Sequence, residues 1–76
     1  MNYVIIGCGR VFEYYKENVL NILPKSWKLI ALIENDIKKF DYLQNEFRDV
    51  FLYQNIADML EKHIDIDVAI VLSISG

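Results

Sequence analysis

Four short apolar runs recur along the chain, and between each pair lies a segment whose apolar residues fall at helical spacing. The runs cover residues 3–6 (YVII), 27–33 (WKLIALI), 50–53 (VFLY) and 68–72 (VAIVL). The first stops at Gly7. The second ends at Glu34-Asn35-Asp36, a turn and N-cap cluster. Phe12, Tyr15, Val19 and Ile22 form one face of a helix over residues 10–23, which Pro24 ends because its ring disfavours the helical conformation in the residue before it. Ile37, Phe40, Leu43 and Phe47 mark a second helix. Ile56, Met59, Leu60 and His63 mark a third, opened by Asn55 with Asp58 three residues on, as in a capping box. The order β-α-β-α-β-α-β implies parallel strands joined by right-handed crossovers. The expected fold class is α/β, with sheet order 3-2-1-4, the first half of a doubly wound fold plus its fourth strand.

Length and charge narrow the function classes. With 76 residues the chain is one small domain, about half an ordinary one, and such a core is marginal without a staple or a partner. A single cysteine excludes an internal disulfide and a cysteine-rich zinc site. A formal charge of −3 without a basic patch argues against nucleic acid as a partner. No apolar run approaches the roughly 20 residues of a membrane span. The N-terminus enters a strand with no basic leader, so a cytoplasmic soluble protein is expected. Residues 68–72 are apolar at every position, which suits a strand covered on both faces. At the edge of a 3-2-1-4 sheet that strand lacks a blunting charge or proline. Either further strands cover it in a longer natural chain, or it pairs with a second copy to make a homo-oligomer.

The stretch VIIGCGRVF joins the first strand to the first helix. Gly7 lets the backbone leave the strand sharply, and Gly9 has no side chain to keep a pyrophosphate from the main chain. The amides of Arg10 and Val11 then lie at a helix N-terminus, where free N–H groups and the helix dipole favour an anion. Glu34 follows the second strand, where a dinucleotide site places a carboxylate against the adenosine ribose hydroxyls. It lies somewhat beyond the motif's spacing of about 20 residues. A carboxylate there favours NAD by repelling a 2′-phosphate, while Asn35 and Lys38 leave NADP open. Phe12 departs from the pattern, which calls for a small residue so that the helix can pack closely on the strand.

Together VIIGCGRV, WKLIALIEN, YQNIADMLEK and DVAIVLSISG, in that order, resemble the start of the glucose–fructose oxidoreductase/inositol dehydrogenase (Gfo/Idh/MocA) family, over essentially all 76 residues. Ser73-Ile74 stands where that family has Thr-Pro. The resemblance implies a partial Rossmann fold over residues 1–76, the N-terminal part of a dinucleotide-binding domain. It implies cofactor-binding residues Gly7, Gly9, Arg10, Val11, Glu34 and Ser73, and Asn35 beside Glu34 is a further cofactor-binding candidate. It also implies hydride transfer between a nicotinamide and a sugar or cyclitol carbon. The family's catalytic lysine, in a Glu-Lys-Pro motif, and its substrate domain are expected downstream, so no catalytic residue is carried over and the 76 residues alone are not expected to be catalytic.

Other residues invite chemistry but read more simply as structure. Cys8 fills the turn, although a helix N-terminus can lower a thiol pKa. His63 closes a helical face with no ligand cluster beside it in sequence. Asp65 and Asp67 belong to a solvated turn, Tyr14 and Tyr15 to a partly buried helix face, and Trp27 to packing. The competing function is a non-catalytic nucleotide-binding or self-associating module, or an inactive remnant. A methyltransferase start is disfavoured, since those sites carry more glycine and an acidic residue in the first strand.

Overall fold

A computed structural model describes residues 1–63 and 65–72, including every side chain among them except those of Tyr15 and Val19. Strand β1 (Asn2–Ile6) leads through the glycine turn to helix α1 (Arg10–Ile22). Strand β2 (Lys28–Ile33) is followed by one 3₁₀ turn (Ile37–Lys39) and helix α2 (Phe40–Glu46). Strand β3 (Phe51–Tyr53), helix α3 (Ile56–Lys62) and strand β4 (Val68–Val71) complete the order. All pairings are parallel, and the sheet order is β3-β2-β1-β4. This is the α/β arrangement expected from the alternating runs. Among the described residues no helix is long and apolar enough to cross a membrane.

Side chains of a strand alternate between the two faces of the sheet. Tyr3 and Ile5 of β1 join Cys8, Phe12, Leu32 and Leu43 in one buried cluster, with Leu20 and Leu23 of the α1 segment packed on it. Val4 joins Ala31, Ile33 and Met59 in a second cluster on the opposite face, under α3. The register between β1 and β2 slips once: Tyr3 pairs with Leu29, and Val4 with Ala31. Ile30 is therefore the extra residue of a bulge. Ile30 and Ala31, though consecutive, both contribute to the second cluster. From that point the alternation of β2 is inverted.

Three expected faces need correcting. Of the expected α1 face Phe12 is buried but Ile22 is 79% exposed, and the side chains of Tyr15 and Val19 lie outside those described; Leu20, and Leu23 just past the helix, pack inward. Tyr14 is 75% exposed rather than partly buried. On α3, Met59 is buried while Ile56 and Leu60 stay largely in solvent. The second helical segment begins as the 3₁₀ turn, with Ile37 exposed, before α2 takes over at Phe40. Strand β4 is the sheet edge expected for this order. Val68 and Ile70 pack against the first cluster, but Ala69 and Val71 face outward and no described element covers them.

The departure at Phe12 has a physical account. Its ring is fully buried and lies 5.9 Å, centroid to centroid, from Phe47 at the end of α2, tilted by 54°. The ring fills the same buried cluster as Tyr3 and Ile5 of β1 and Leu43 of α2, so it packs between the helices and the sheet. The place of a third small residue is taken by the largest fully buried side chain among the described residues.

Candidate functional site

The carboxyl ends of the strands are brought level by hydrogen bonds that continue the sheet past its last formal residues. Gly7 N–H donates to Ile33 O (2.8 Å), Glu34 N–H to Tyr53 O (2.9 Å), and Leu72 N–H to Ile6 O (2.8 Å). A cleft of about 530 Å³ opens there. Gly7, Gly9, Arg10, Val11, Glu34 and Asn35 all line it, so six of the seven expected cofactor residues converge. The seventh, Ser73, lies outside the described residues.

The two glycines of the turn serve different purposes. Gly7 has φ 92°, a conformation that L side chains rarely adopt, so the fold itself requires glycine there. Gly9 has no such backbone requirement. A Cβ built on it would meet only the end of the Lys39 side chain, at an ordinary 3.7 Å. Gly9 thus leaves open a space in the cleft that a side chain could fill, beside the first turn of α1. That suits the approach of a pyrophosphate to the main chain.

Glu34 is 5% exposed, and both carboxylate oxygens are engaged. Oε1 accepts from the Cys8 N–H at 2.9 Å and Oε2 from the Asp36 N–H at 2.8 Å. An ionised carboxylate offers about four lone-pair sites, so acceptor capacity remains for ribose hydroxyls. The same bonds fasten the glycine turn to the loop after β2. Asp36 in turn caps the 3₁₀ turn by accepting from the Lys38 N–H at 3.1 Å. Gln54 donates to Asn35 O at 3.3 Å and closes the side of the cleft next to β3.

The family model for the NAD-binding Rossmann fold of the Gfo/Idh/MocA oxidoreductases matches residues 1–76. The chain belongs to that family. Neither curated proteins nor solved structures gave a significant match. For a Gfo/Idh/MocA chain the cleft has the expected parts: an open glycine turn, the N-terminus of a 13-residue helix, and a carboxylate after β2.

The remaining residues singled out by sequence take structural places in this Gfo/Idh/MocA chain. Cys8 is fully buried, with Sγ 3.9 Å from Ile33 O. Burial, reinforced by the Glu34 charge, pushes its thiol up to about 12, so it is protonated and unreactive at neutral pH. His63 Nε2 shares a 2.6 Å hydrogen bond with the Tyr53 hydroxyl, and its ring lies 4.8 Å from that of Phe51. Among the described residues no group of three or more His, Cys, Asp or Glu could hold a metal ion. Asp67 accepts from the Asn2 N–H at 2.8 Å, and Asp65 accepts from the Asn2 side chain at 3.0 Å. Those two carboxylates pin the start of β4 to the start of β1, at the opposite end of the sheet from the cleft. Trp27 packs near Tyr3, with ring centroids 6.3 Å apart.

Lys39 was not among the candidates from sequence. It lines the cleft and reaches Gly9 from the 3₁₀ turn. Its neighbour Lys38, noted for its charge, is not among the lining residues. A run of two lysines does not say which faces inward. The Asp36 cap decides it by fixing the phase of the turn.

Proposed function

We propose that this chain binds NAD in the cleft as the cofactor-holding part of an oxidoreductase acting on a sugar or cyclitol. When bound, the nicotinamide supplies the hydride chemistry. The chain's own residues bind and orient: the amides after Gly9 take the pyrophosphate, Glu34 and Asn35 the adenosine ribose, and Ser73 a further part of the cofactor. No Glu-Lys-Pro motif occurs in the 76 residues, and we assign the catalytic base to none of them. Glu34 favours NAD over NADP, because a buried carboxylate disfavours a 2′-phosphate beside it. A cytoplasmic location accords with the composition.

The observation that carries this reading is the open side of Gly9, which the fold does not need and a ligand does. The test is NADH affinity of Gly9→Ala, read by fluorescence. The variant keeps its circular dichroism spectrum and loses at least about tenfold in Kd, equivalent to about 1.4 kcal/mol. Equal affinity in both proteins would remove the site from the turn. A second reading, a self-associating module, draws on the uncovered outer side of β4.

A further inference from the structure

The cleft carries one cation that the NAD-binding motif does not require. Lys39 is half-buried at the end of the 3₁₀ turn, and its Nζ stands 3.7 Å from where a Gly9 Cβ would be. Its charge is felt at the turn, where it opposes part of the upward shift of the Cys8 thiol. Among the described residues Lys39 has no ion-pair partner; the ion pairs present belong to Lys16 with Glu13 and Glu46. Lysines that merely cover a surface extend into water or pair with a nearby carboxylate. This one is held over the part of the main chain left bare by Gly9. The cleft therefore presents two cations, Arg10 and Lys39, against one carboxylate, in a chain of formal charge −3. Among the described residues Glu34 makes no ion pair with Lys39; its oxygens accept from the Cys8 and Asp36 amides.

We propose that Lys39 is a pyrophosphate-binding residue that closes over the dinucleotide from the β2 side, opposite the helix amides. This rests on the NAD-binding reading given above. Amides of the turn and α1 contact one side of the pyrophosphate, and the Lys39 ammonium contacts its outer oxygens as a mobile point charge. Lys38 and Lys39 thereby have different tasks despite adjacent positions: Lys38 remains in solvent, and Lys39 sets affinity for the diphosphate.

The test compares wild type, Lys39→Met, Lys39→Arg and Lys38→Met, with NADH, NADPH and adenosine as probes at two salt concentrations. Lys39→Met keeps the length and removes the charge. It is expected to weaken NADH and NADPH alike by about tenfold, flatten the salt dependence, and leave adenosine affinity unchanged. Lys39→Arg restores most of the loss, and Lys38→Met changes NADH affinity less than twofold. Wild-type NADH affinity in Lys39→Met overturns this inference alone. So does a loss confined to NADPH, which would put Lys39 at the 2′-phosphate. Absence of NADH binding by the wild type overturns the cofactor reading and this inference with it.

Discussion

Glu34 has two tasks that pull against each other experimentally. Its carboxylate holds the Cys8 and Asp36 amides, and in the proposed function it also receives the ribose. Glu34→Ala would leave the Cys8 N–H in a buried turn without an acceptor, at a cost of about 3 kcal/mol. Urea denaturation should show that loss in the absence of any ligand, with Glu34→Gln, which keeps one acceptor oxygen, falling between. A change in NADH affinity at this position is therefore interpretable only beside its stability. Cys8 next to it makes a second test. Its folded pKa is raised, so the unfolded chain releases the thiol proton first as pH rises. Stability contributed by the protonated thiol is whole below about pH 9 and declines as pH approaches about 12. Wild type should lose stability relative to Cys8→Ala across that window, and maleimide should label Cys8 at pH 8 only after denaturation. Sequence alone singled out the glycines and Glu34 and read Cys8 as a filler of the turn. It could not show that Glu34 is bonded to the turn, because that depends on the two loops meeting in space.

Elements were legible in kind, and less so in which side they turn inward. Asn55 caps α3 as expected, its side chain accepting from the Asp58 N–H at 2.9 Å. Asp58 is too short for the reciprocal bond of a capping box and instead accepts from the Asn55 amide at 3.2 Å. Asn55→Ala should cost about 1 kcal/mol in thermal unfolding. Helix α1 carries so many apolar residues that spacing admits more than one inward stripe. Contact with α2 and β1 settles it in favour of Phe12 and Leu20, leaving Ile22 outside. Phe12 is thus a core residue rather than a flaw in a motif. Restoring a small residue by Phe12→Ala should destabilise by about 3–5 kcal/mol, a large share of the stability of any small domain. Improved stability in that variant would mean that the ring strains the helix after all.

At the scale of the whole molecule, the sheet ends at β4 with Val71 62% exposed and an unpaired outer edge. Expressed alone, the 76 residues should associate with rising concentration, and Val71→Lys should move the sedimentation profile towards monomer. A wild type that stays monomeric at high concentration would count against strand pairing between copies. The sheet order was readable because alternation of strands and helices admits few right-handed topologies. The bulge in β2 was not, since LIALI carries no glycine to announce an extra residue. That bulge has a reach beyond its own position. A strand keeps time by odd and even, and Ile30 is one additional beat. With the register slip at that residue, Leu32 lies on the side of Cys8 and Glu34 reaches the Cys8 amide; the same sequence in unbroken alternation would put Leu32 on the side of Met59. The phase in which β2 arrives at Glu34 is settled four residues earlier, by a parity that an isoleucine with no partner on β1 sets.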